Sequence, residues 1–349
     1  MSASPLGEMP KAEEAKSKKM KAILQKLTEH KTLSKEEAKV ILTDITGEKY
    51  NTTQVTAFLT VFMMRSITPD ELAGFRDALL DLCVHIDLSE FNTIDLCGTG
   101  GDGKNTFNIS TLSSLVVAGA GYKVAKHGNY GVSSASGSSS IMEYFGYKFT
   151  NKQDTLKKMM DKTGMVYLHA PFFHPAMKAV GPIRRNLGMK TFFNMLGPIL
   201  NPSQPKNQIT GVYDLETMRL YSYLFQQSDK NYSIIYAMDG YDEISLTGDF
   251  KMITNTEDVM MSPEQLGLPQ LKQEDLFGGN TVDDAASIFK NILEGKGSNA
   301  QNSVVYANAG MAIHTIHPEK SIEECVEEAK RSLMSGEAKK VLQYLIEFK

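Results

Sequence analysis

The sequence has few cysteines and no long apolar run. Its three cysteines, Cys83, Cys97 and Cys325, lie far apart, so they form neither a disulfide framework nor a metal-ligand pattern. Cys97 stands in an apolar, strand-like run and is interpreted as a buried structural thiol. No run of about 18 apolar residues occurs, and the N-terminus is rich in Lys and Glu. We therefore expect no membrane span and no signal peptide, and a reducing cytoplasm as the location.

The chain also lacks an excess of positive charge. Its formal net charge is −4 at pH 7, which does not favour a nucleic acid as the main partner. A small phosphorylated substrate stays compatible with this charge, because such a substrate needs only a local positive pocket. The hydrophobic fraction of 42% and the charged fraction of 22% are typical of a globular protein.

The length of 349 residues suggests about two domains. Residues 1–18 are rich in small and charged residues and are predicted to form a mobile tail. Helical patterns follow, with possible capping boxes at 34–37 and 68–71, the second with Pro69 at the first helical position. Residues 19–90 are predicted to form a small all-helical domain, which the segment at about 170–195 is expected to complete.

The pattern changes at Thr93. Residues 93–97 form a short apolar run that ends in glycines, and a helical pattern from Thr111 to about residue 118 precedes a second strand-like run at 122–125. Strand, glycine-rich turn, helix and strand indicate a mostly parallel sheet. Further strands are predicted at 165–169, 208–212 and 233–238, and a last helical stretch at 321–347. The predicted fold class is α/β: the helical domain plus a larger α/β domain with a mostly parallel central sheet, formed by residues 91–169 and 196–349.

The glycine-rich turn at 98–103 admits three interpretations. It satisfies G-x-G-x-x-G after a strand, but a dinucleotide site needs an acidic residue about 20 positions on, where Lys126 and His127 stand. It also approaches a P-loop, yet Asn105 replaces the required Ser or Thr, and Asp102 lies inside the cradle. A flexible surface turn would explain the glycines but not the residues that follow.

Those following residues favour a diphosphate site. Asn108, Ser110 and Thr111 open a helix, and a helix start offers free N–H groups and a positive dipole end to an anion. Lys126 adds a fixed positive charge at the end of the second strand. The Ser/Gly-rich loop at 133–140 could be a linker, but an apolar helical pattern follows it directly, which favours a binding loop. His127 is interpreted as a packed, hydrogen-bonded histidine.

These motifs together carry a resemblance to a known family. They are G-T-G-G-D at 98–102, N-I-S-T at 108–111, K-H-G-N at 126–129, S-S-x-S-G-S at 133–138, H-P-A-M at 174–177, I-R-R-N-L-G at 183–188, T-F-F-N-M-L-G-P at 191–198, N-P at 201–202 and D-E-I-S at 242–245. In this order and spacing they resemble the anthranilate phosphoribosyltransferases, over about residues 20–349. One such motif would be weak, whereas several in register are specific.

The resemblance implies an activity and a fold. The activity is the magnesium-dependent transfer of the phosphoribosyl group of phosphoribosyl pyrophosphate to the amine of anthranilate, with release of pyrophosphate, in tryptophan biosynthesis. The fold is of the nucleoside phosphorylase/phosphoribosyltransferase type, and members are usually homodimers. The resemblance further implies that Lys126 is catalytic and that Mg²⁺ is held by Ser110, Asp242 and Glu243. The implied substrate-binding residues are Gly98, Thr99, Gly100, Gly101, Asp102, Thr106, Asn108, Ser110, Thr111, Lys126, His127, Gly128, Asn129, Ser138 and Arg184.

The chemistry of these residues agrees with the implied roles. Asp242 and Glu243 follow an apolar run and offer the oxygen ligands that magnesium prefers, although such a pair can also be a solvated acidic turn. Arg184 can pair with the substrate carboxylate in a bidentate way. Arg185 could do the same, and only motif position favours Arg184. Magnesium and Lys126 would neutralise the departing pyrophosphate around an oxocarbenium-like ribose, and no strong general base is expected.

Tyr130 departs from the family pattern, which usually has Arg after K-H-G-N. This change bears on acceptor binding or loop closure and leaves room for another aromatic amine as acceptor. Two further alternatives are a pyrimidine nucleoside phosphorylase, which would lack the acidic metal pair, and a non-catalytic relative that binds nucleic acid. The second would need a basic face and an eroded metal motif, and neither is found in this sequence.

Overall fold

The computed structural model describes residues 11–131 and 136–348, which fall into two compact units. One unit, which we call the helical unit, contains the chain up to Leu82 together with Pro175–Phe193. The other, the α/β unit, contains Cys83–His174 and the chain from Asn194 onwards. Part of the predicted tail and residues 133–135 of the predicted binding loop lie outside the described residues.

Helices and strands alternate along much of the chain. The helices are α1 (Lys11–Thr28), α2 (Lys35–Thr46), α3 (Thr52–Met64), α4 (Pro69–Asp81), α5 (Ile109–Gly119), α6 (Ser138–Tyr144), α7 (Gln153–Thr163), α8 (Ala170–Phe173), α9 (Met177–Leu187), α10 (Leu215–Gln226), α11 (Val282–Leu293), α12 (Asn299–Ile316), α13 (Ile322–Met334) and α14 (Glu337–Glu347). The strands are β1 (Thr93–Gly98), β2 (Lys123–Gly128), β3 (Met165–His169), β4 (Asn207–Gly211), β5 (Asn231–Ala237), β6 (Phe250–Thr254) and β7 (Asp258–Met261).

The helical unit contains α1 to α4 and α9, and both predicted capping boxes are present. Ser34 and Glu37 cap α2 reciprocally, and Thr68 and Glu71 do the same for α4. Helix α1 begins at Lys11, inside the stretch predicted to be a tail, because residues 11–18 lack Gly and Pro and consist mostly of good helix formers.

Aromatic packing ties the segment Pro175–Phe193 to the first four helices. The ring of Phe192 stacks on Phe75 with centroids 4.4 Å apart, and it meets the edges of Phe58 and Phe62. Phe58 and Phe75 are fully buried, so these rings form the core of the unit. A short piece of chain far away in sequence thereby completes the helical unit.

The α/β unit is built on a seven-stranded sheet in the order β3-β2-β1-β4-β5-β6-β7. The first five strands in this order are parallel, and β6 and β7 are antiparallel additions at one edge. Helix α12 lies buried along most of its length and packs against α5 in the core. The predicted α/β class with a mostly parallel sheet is thus confirmed, and no helix of residues 11–131 and 136–348 is long and apolar enough to cross a membrane.

Two predicted features of the α/β unit differ from the structure. Strands β6 and β7 were not predicted, because β6 is only five residues long and includes the charged Lys251, and β7 is a four-residue edge strand with three exposed positions. The last helical stretch is two helices, since Gly336 adopts a left-handed φ of 82° between α13 and α14.

Candidate active site

The glycine turn follows β1 at the carboxyl edge of the parallel sheet, where such sheets bind ligands. Gly100, Gly101 and Gly103 have φ of 65°, 76° and 75°, which glycine adopts without strain. Gly98 is required for a different reason: a Cβ there would overlap the Oδ2 atom of Asp242. The backbone N–H of Gly100 donates to that same oxygen at 2.6 Å, so the turn is fastened to the acidic pair.

The start of α5 faces the second acid of the pair. Ser110 donates to Oε1 of Glu243 through its backbone N–H at 3.0 Å and through its hydroxyl at 2.6 Å. The side chain of Asn108 makes no capping hydrogen bond to the helix, and its amide donates to the backbone carbonyl of Ser136 at 3.0 Å. Thr111 is buried in the first turn. The start of α5 is therefore joined to the acidic pair by direct hydrogen bonds.

Asp242 and Glu243 are placed by the turn after β5, in which Gly240 has a φ of 88°. Burial raises the pKa of both carboxyl groups, and the charge of neighbouring carboxyl groups raises it further. Burial also raises the pKa of Asp102, whose carboxylate accepts from the N–H of Lys104 at 3.0 Å. A cation at this position would relieve the repulsion among these carboxylates.

The protein alone does not complete a metal site. In the described ranges, no group of three or more His, Cys, Asp or Glu side chains is arranged to hold an ion. Magnesium commonly binds through one or two carboxylates together with substrate phosphates and water. Two adjacent carboxylates beside a glycine turn and a helix start suit that mode of binding. The predicted metal residues therefore fit a magnesium ion that arrives with a phosphorylated ligand.

Lys126 and His127 end β2 and are both buried. The ammonium group of Lys126 donates to the backbone carbonyl of Leu96 at 2.5 Å. Nδ1 of His127 lies 3.2 Å from the carbonyl of Gly197, and since a carbonyl only accepts, Nδ1 carries the proton. The interpretation of His127 as a packed, hydrogen-bonded histidine is confirmed by this contact.

A second buried histidine lies beside His127. The rings of His127 and His174 are 5.3 Å apart, and Nε2 of His174 donates to the carbonyl of Leu200 at 2.8 Å. Nε2 of His127 and Nδ1 of His174 are buried and have no hydrogen-bond partner within the described residues. Burial lowers the pKa of His127 to about 3 and that of His174 to about 4, so each keeps a free lone pair. The sequence placed His174 in a motif without assigning it a role.

Gly128, Asn129 and Ser138 meet around a tyrosine that the sequence did not indicate. The Tyr167 hydroxyl lies 2.7 Å from the hydroxyl of Ser138 and 2.9 Å from that of Ser139. Ser138 also donates to the carbonyl of Asn129 at 3.2 Å. A Cβ at Gly128 would overlap the Tyr167 hydroxyl, which explains the glycine. The end of β2 and the start of α6 are joined by this cluster.

Tyr130 packs instead of presenting a charge. Its hydroxyl donates to Glu143 at 3.2 Å, and its ring lies edge-on to His169 with centroids 5.1 Å apart. Cys97 is half-buried, its thiol donates to the carbonyl of Gly98, and burial raises the pKa of that thiol to about 12. Both side chains make structural contacts.

The predicted site residues divide between the two units. The α/β unit contains the residues from Gly98 to Thr111, those from Lys126 to Asn129, Ser138 and the acidic pair, and within it Thr106 forms a β-bridge with Phe277. Arg184 belongs to α9 of the helical unit, where its guanidinium lies 5.1 Å from the ring centroid of Phe193 and burial lowers its pKa. Arg185 is exposed, whereas Arg184 is half-buried.

Fold and site define an α/β protein with a glycine turn, a helix start and a pair of carboxylates at the carboxyl edge of its parallel sheet. Residues 90–339 match the family described as "Glycosyl transferase family, a/b domain", and residues 21–83 match its "helical bundle domain". The chain belongs to this glycosyl transferase family.

Three individual proteins that this chain is similar to are named anthranilate phosphoribosyltransferase. The chain is 60% identical over 328 residues to an anthranilate phosphoribosyltransferase from Flavobacterium johnsoniae, covering 94% of this chain and 99% of the relative. An anthranilate phosphoribosyltransferase structure from Saccharomyces cerevisiae in complex with PRPP and Mg matches with a TM-score of 0.88 and 27% identity, covering 94% of this chain and 97% of that one. The Thermus thermophilus structure matches with a TM-score of 0.87 and 28% identity, covering 93% and 98%. These likenesses confirm the resemblance found in the sequence.

Proposed function

We propose that this protein transfers the phosphoribosyl group of phosphoribosyl pyrophosphate to the amine of anthranilate and releases pyrophosphate. The observation that carries the proposal is that the glycine turn and the start of α5 are both hydrogen-bonded to the acidic pair. Gly100 donates to Asp242, and Ser110 donates to Glu243. A relative that aligns with 94% of this chain is named anthranilate phosphoribosyltransferase.

The diphosphate is proposed to lie between the glycine turn and the start of α5. Backbone N–H groups at a helix start bind anions, and the dipole of the helix favours negative charge there. The Thr99 hydroxyl is buried without a hydrogen-bond partner in the described chain, so it can donate to a phosphate oxygen. The other proposed ligands in the α/β unit are Gly98, Gly100, Gly101, Asp102, Thr106, Asn108, Ser110, Thr111, Lys126, Gly128 and Ser138.

Asp242, Glu243 and Ser110 are proposed to hold magnesium. The ion, when bound with the substrate, supplies positive charge that stabilises the departing pyrophosphate. The neighbouring carboxylates, whose pKa values are raised by burial and mutual repulsion, are suited to a cation. The structure of the yeast relative is a complex with PRPP and Mg, which supports the same choice of ion.

Lys126 is proposed to add a fixed positive charge to the site. Its ammonium is held by the Leu96 carbonyl in a buried position, where its field is weakly screened. Charge that develops on pyrophosphate as the bond to ribose breaks is stabilised by such a preorganised group. The ribose carbon then carries oxocarbenium character, and the amine nitrogen forms the new bond.

The acceptor is proposed to be bound by neutral histidine and by arginine. The free lone pair of Nε2 on His127 can accept a hydrogen from the anthranilate amine, and Asn129 lies two residues farther along the chain. Arg184 is the proposed partner of the substrate carboxylate, because a guanidinium pairs with a carboxylate in a bidentate way. An aromatic amine is mostly unprotonated at neutral pH, so the lowered pKa of His127 is compatible with catalysis without a strong general base.

Further parts of the proposal concern the setting of the enzyme. We propose a place in tryptophan biosynthesis, a cytoplasmic location and a homodimer. Residues 19–90 with about 170–195, and residues 91–169 with 196–349, are proposed as the two domains. Tyr130 supports one alternative acceptor class. It places an aromatic ring, in contact with Glu143 and His169, where the family usually has the charge of an arginine. That alternative is transfer to another aromatic amine.

Loss of anthranilate fluorescence in the presence of phosphoribosyl pyrophosphate and magnesium tests the proposal. We expect consumption that requires all three components and that yields one pyrophosphate per anthranilate. The same reaction with substituted aromatic amines ranks the acceptors. Absence of turnover with anthranilate, together with turnover of another amine, would replace the first proposal by the second.

A further inference from the structure

Strands β1 and β2 separate just before the proposed site. Their paired residues are Thr93 with Lys123 and Ile94 with Val124. Beyond these pairs, β1 continues beside β4, and β2 continues beside β3 as far as Gly128. The segment of β2 from Ala125 to His127 therefore lies next to an opening in the sheet, and this segment carries Lys126 and His127.

Side chains bridge this opening in place of the backbone ladder. Oδ1 of Asp95 accepts from the backbone N–H of His127 at 3.1 Å. The amide of Asn201 donates to Oδ2 of Asp95 at 2.8 Å and to the backbone carbonyl of Ala125 at 2.7 Å. The Lys126 ammonium spans the same opening to reach Leu96. Two polar groups of the β2 backbone are thus satisfied by the side chains of Asp95 and Asn201.

The bridge is buried and complete. Asp95 is 0% and Asn201 is 3% exposed. The oxygen of Asn201 accepts from the N–H of Ser203 at 3.0 Å and from its hydroxyl at 2.7 Å, which fixes the orientation of the amide. Buried polar networks whose members are all paired make a local structure rigid, whereas removal of one member leaves costly unpaired groups.

We propose that Asp95 and Asn201 are positioning residues for the transfer reaction. They link the Ala125–His127 segment to β1 across the opening, and so they fix where the Lys126 ammonium and the His127 ring lie. The inference rests on the proposed function, in which those two side chains act on the departing group and the acceptor. Asp95 and Asn201 act only through the segment that they hold.

The test compares two buried asparagines of the same unit. Asn207 is 0% exposed and donates to Asn92 at 2.9 Å and to the Thr93 carbonyl at 3.1 Å, at the opposite end of β1. Asn201→Ala and Asn207→Ala each remove an amide that donates two hydrogen bonds, but only the first lies beside the proposed site. Turnover, KM for each substrate and Tm are measured for both variants and the wild type.

We expect similar losses of Tm and very different losses of turnover. Misplacement of reacting groups by about 1 Å costs about 100-fold in rate, so kcat of Asn201→Ala should fall by about that factor. The kcat of Asn207→Ala should stay within about threefold of the wild type, because its hydrogen bonds do not support the proposed site. Equal losses of kcat in the two variants would overturn the inference, since the effect would then be one of stability.

A milder variant covers the case in which Asn201→Ala does not fold. Asp95→Asn keeps the shape of the side chain, but an amide has one accepting oxygen, so His127 or Asn201 loses its acceptor. We expect kcat to fall by a larger factor than the affinity for phosphoribosyl pyrophosphate, which calorimetry measures. Wild-type turnover in this variant would contradict the inference, whereas an inactive wild-type enzyme would contradict the proposed function itself.

Discussion

Ser110 donates two hydrogen bonds to one oxygen of Glu243, from its backbone N–H and from its hydroxyl, at 3.0 and 2.6 Å. These contacts connect the start of α5 to the acidic turn after β5, which are 133 residues apart in sequence. Oε1 of Glu243 thus accepts from one backbone N–H group and one hydroxyl group of the helix start. Glu243 therefore links the start of α5 to the proposed metal site, whereas the glycine turn is hydrogen-bonded to Asp242.

Replacing Glu243→Gln should weaken magnesium binding at this position. The amide keeps the volume but loses the negative charge, so a larger magnesium concentration should be required. We expect the half-saturating magnesium concentration to rise by about 10- to 100-fold, in line with losses of metal affinity when ligand networks are altered. Initial rates across a magnesium titration measure the change. The control is Glu257→Gln, at an exposed position of the β6–β7 turn, which should require the same magnesium concentration as the wild type. An unchanged magnesium requirement in Glu243→Gln would show that Glu243 is not a magnesium ligand.

The charge of Lys126 should matter more than its volume. Lys126→Met keeps most of the side chain in its buried place and removes only the ammonium. We expect kcat to fall by about 10²- to 10³-fold, the range seen when one preorganised electrostatic group is lost. Lys123→Met on the same strand removes an ammonium that donates to the Met160 carbonyl at 3.1 Å, at the far end of β2, and serves as the control. Steady-state rates of both variants measure the effect, and near-normal turnover in Lys126→Met would reject its catalytic role.

Apolar patterns and capping boxes in the sequence predicted the elements whose bounds are set by neighbouring residues of the chain. The strand at 165–169 is entirely buried, and its continuous apolar pattern sets its bounds. The capping boxes at Ser34 and Thr68 involve residues three positions apart, so they are visible in the sequence. The edge strand β7 is mostly exposed, and only pairing with β6 specifies it.

The candidate site was predictable where its motifs are contiguous and not where contacts are distant. The glycine turn, the start of α5 and the acidic pair could each be recognised, and their resemblance to a family placed them together. Tyr167 and Asp95 gave no such signal, because a buried tyrosine and an acid inside a strand acquire meaning only from partners far away in sequence. The hydrogen bond from the Asn108 amide to the Ser136 carbonyl, 28 residues away in sequence, likewise has no local signal.

Gly211 should tolerate no side chain. It is paired with Gly98 across β1 and β4, and a Cβ there would overlap the backbone carbonyl of Asp242. Overpacking of this kind costs about 1–3 kcal/mol of stability, and here the atom displaced belongs to the acidic pair. For Gly211→Ala we expect a lower Tm and a loss of turnover that added magnesium restores only in part.

Gly248→Ala is the matched control for this substitution. A Cβ at Gly248 would meet nothing within 4 Å. Thermal unfolding and magnesium-dependent rates should therefore match those of the wild type. If Gly211→Ala behaved in the same way, the acidic turn would have more freedom than its close approach to β4 indicates.

The two buried histidines should make the protein sensitive to acid before most carboxylates titrate. Burial lowers the pKa of His127 to about 3 and that of His174 to about 4, whereas an unfolded histidine has a pKa of about 6.5. Below pH 6.5 the unfolded chain therefore binds protons that the folded chain refuses. The stability contributed by neutral histidine is complete above pH 6.5 and is lost as the pH falls toward 3 or 4, by up to about 1.4 kcal/mol per pH unit for each histidine.

Urea unfolding between pH 7.5 and 4.5 measures how steeply the free energy of unfolding depends on pH. His174→Gln should make the slope shallower, while His30→Gln, at an exposed position, should leave it unchanged; equal slopes in all three proteins would show that the buried pair does not govern acid unfolding.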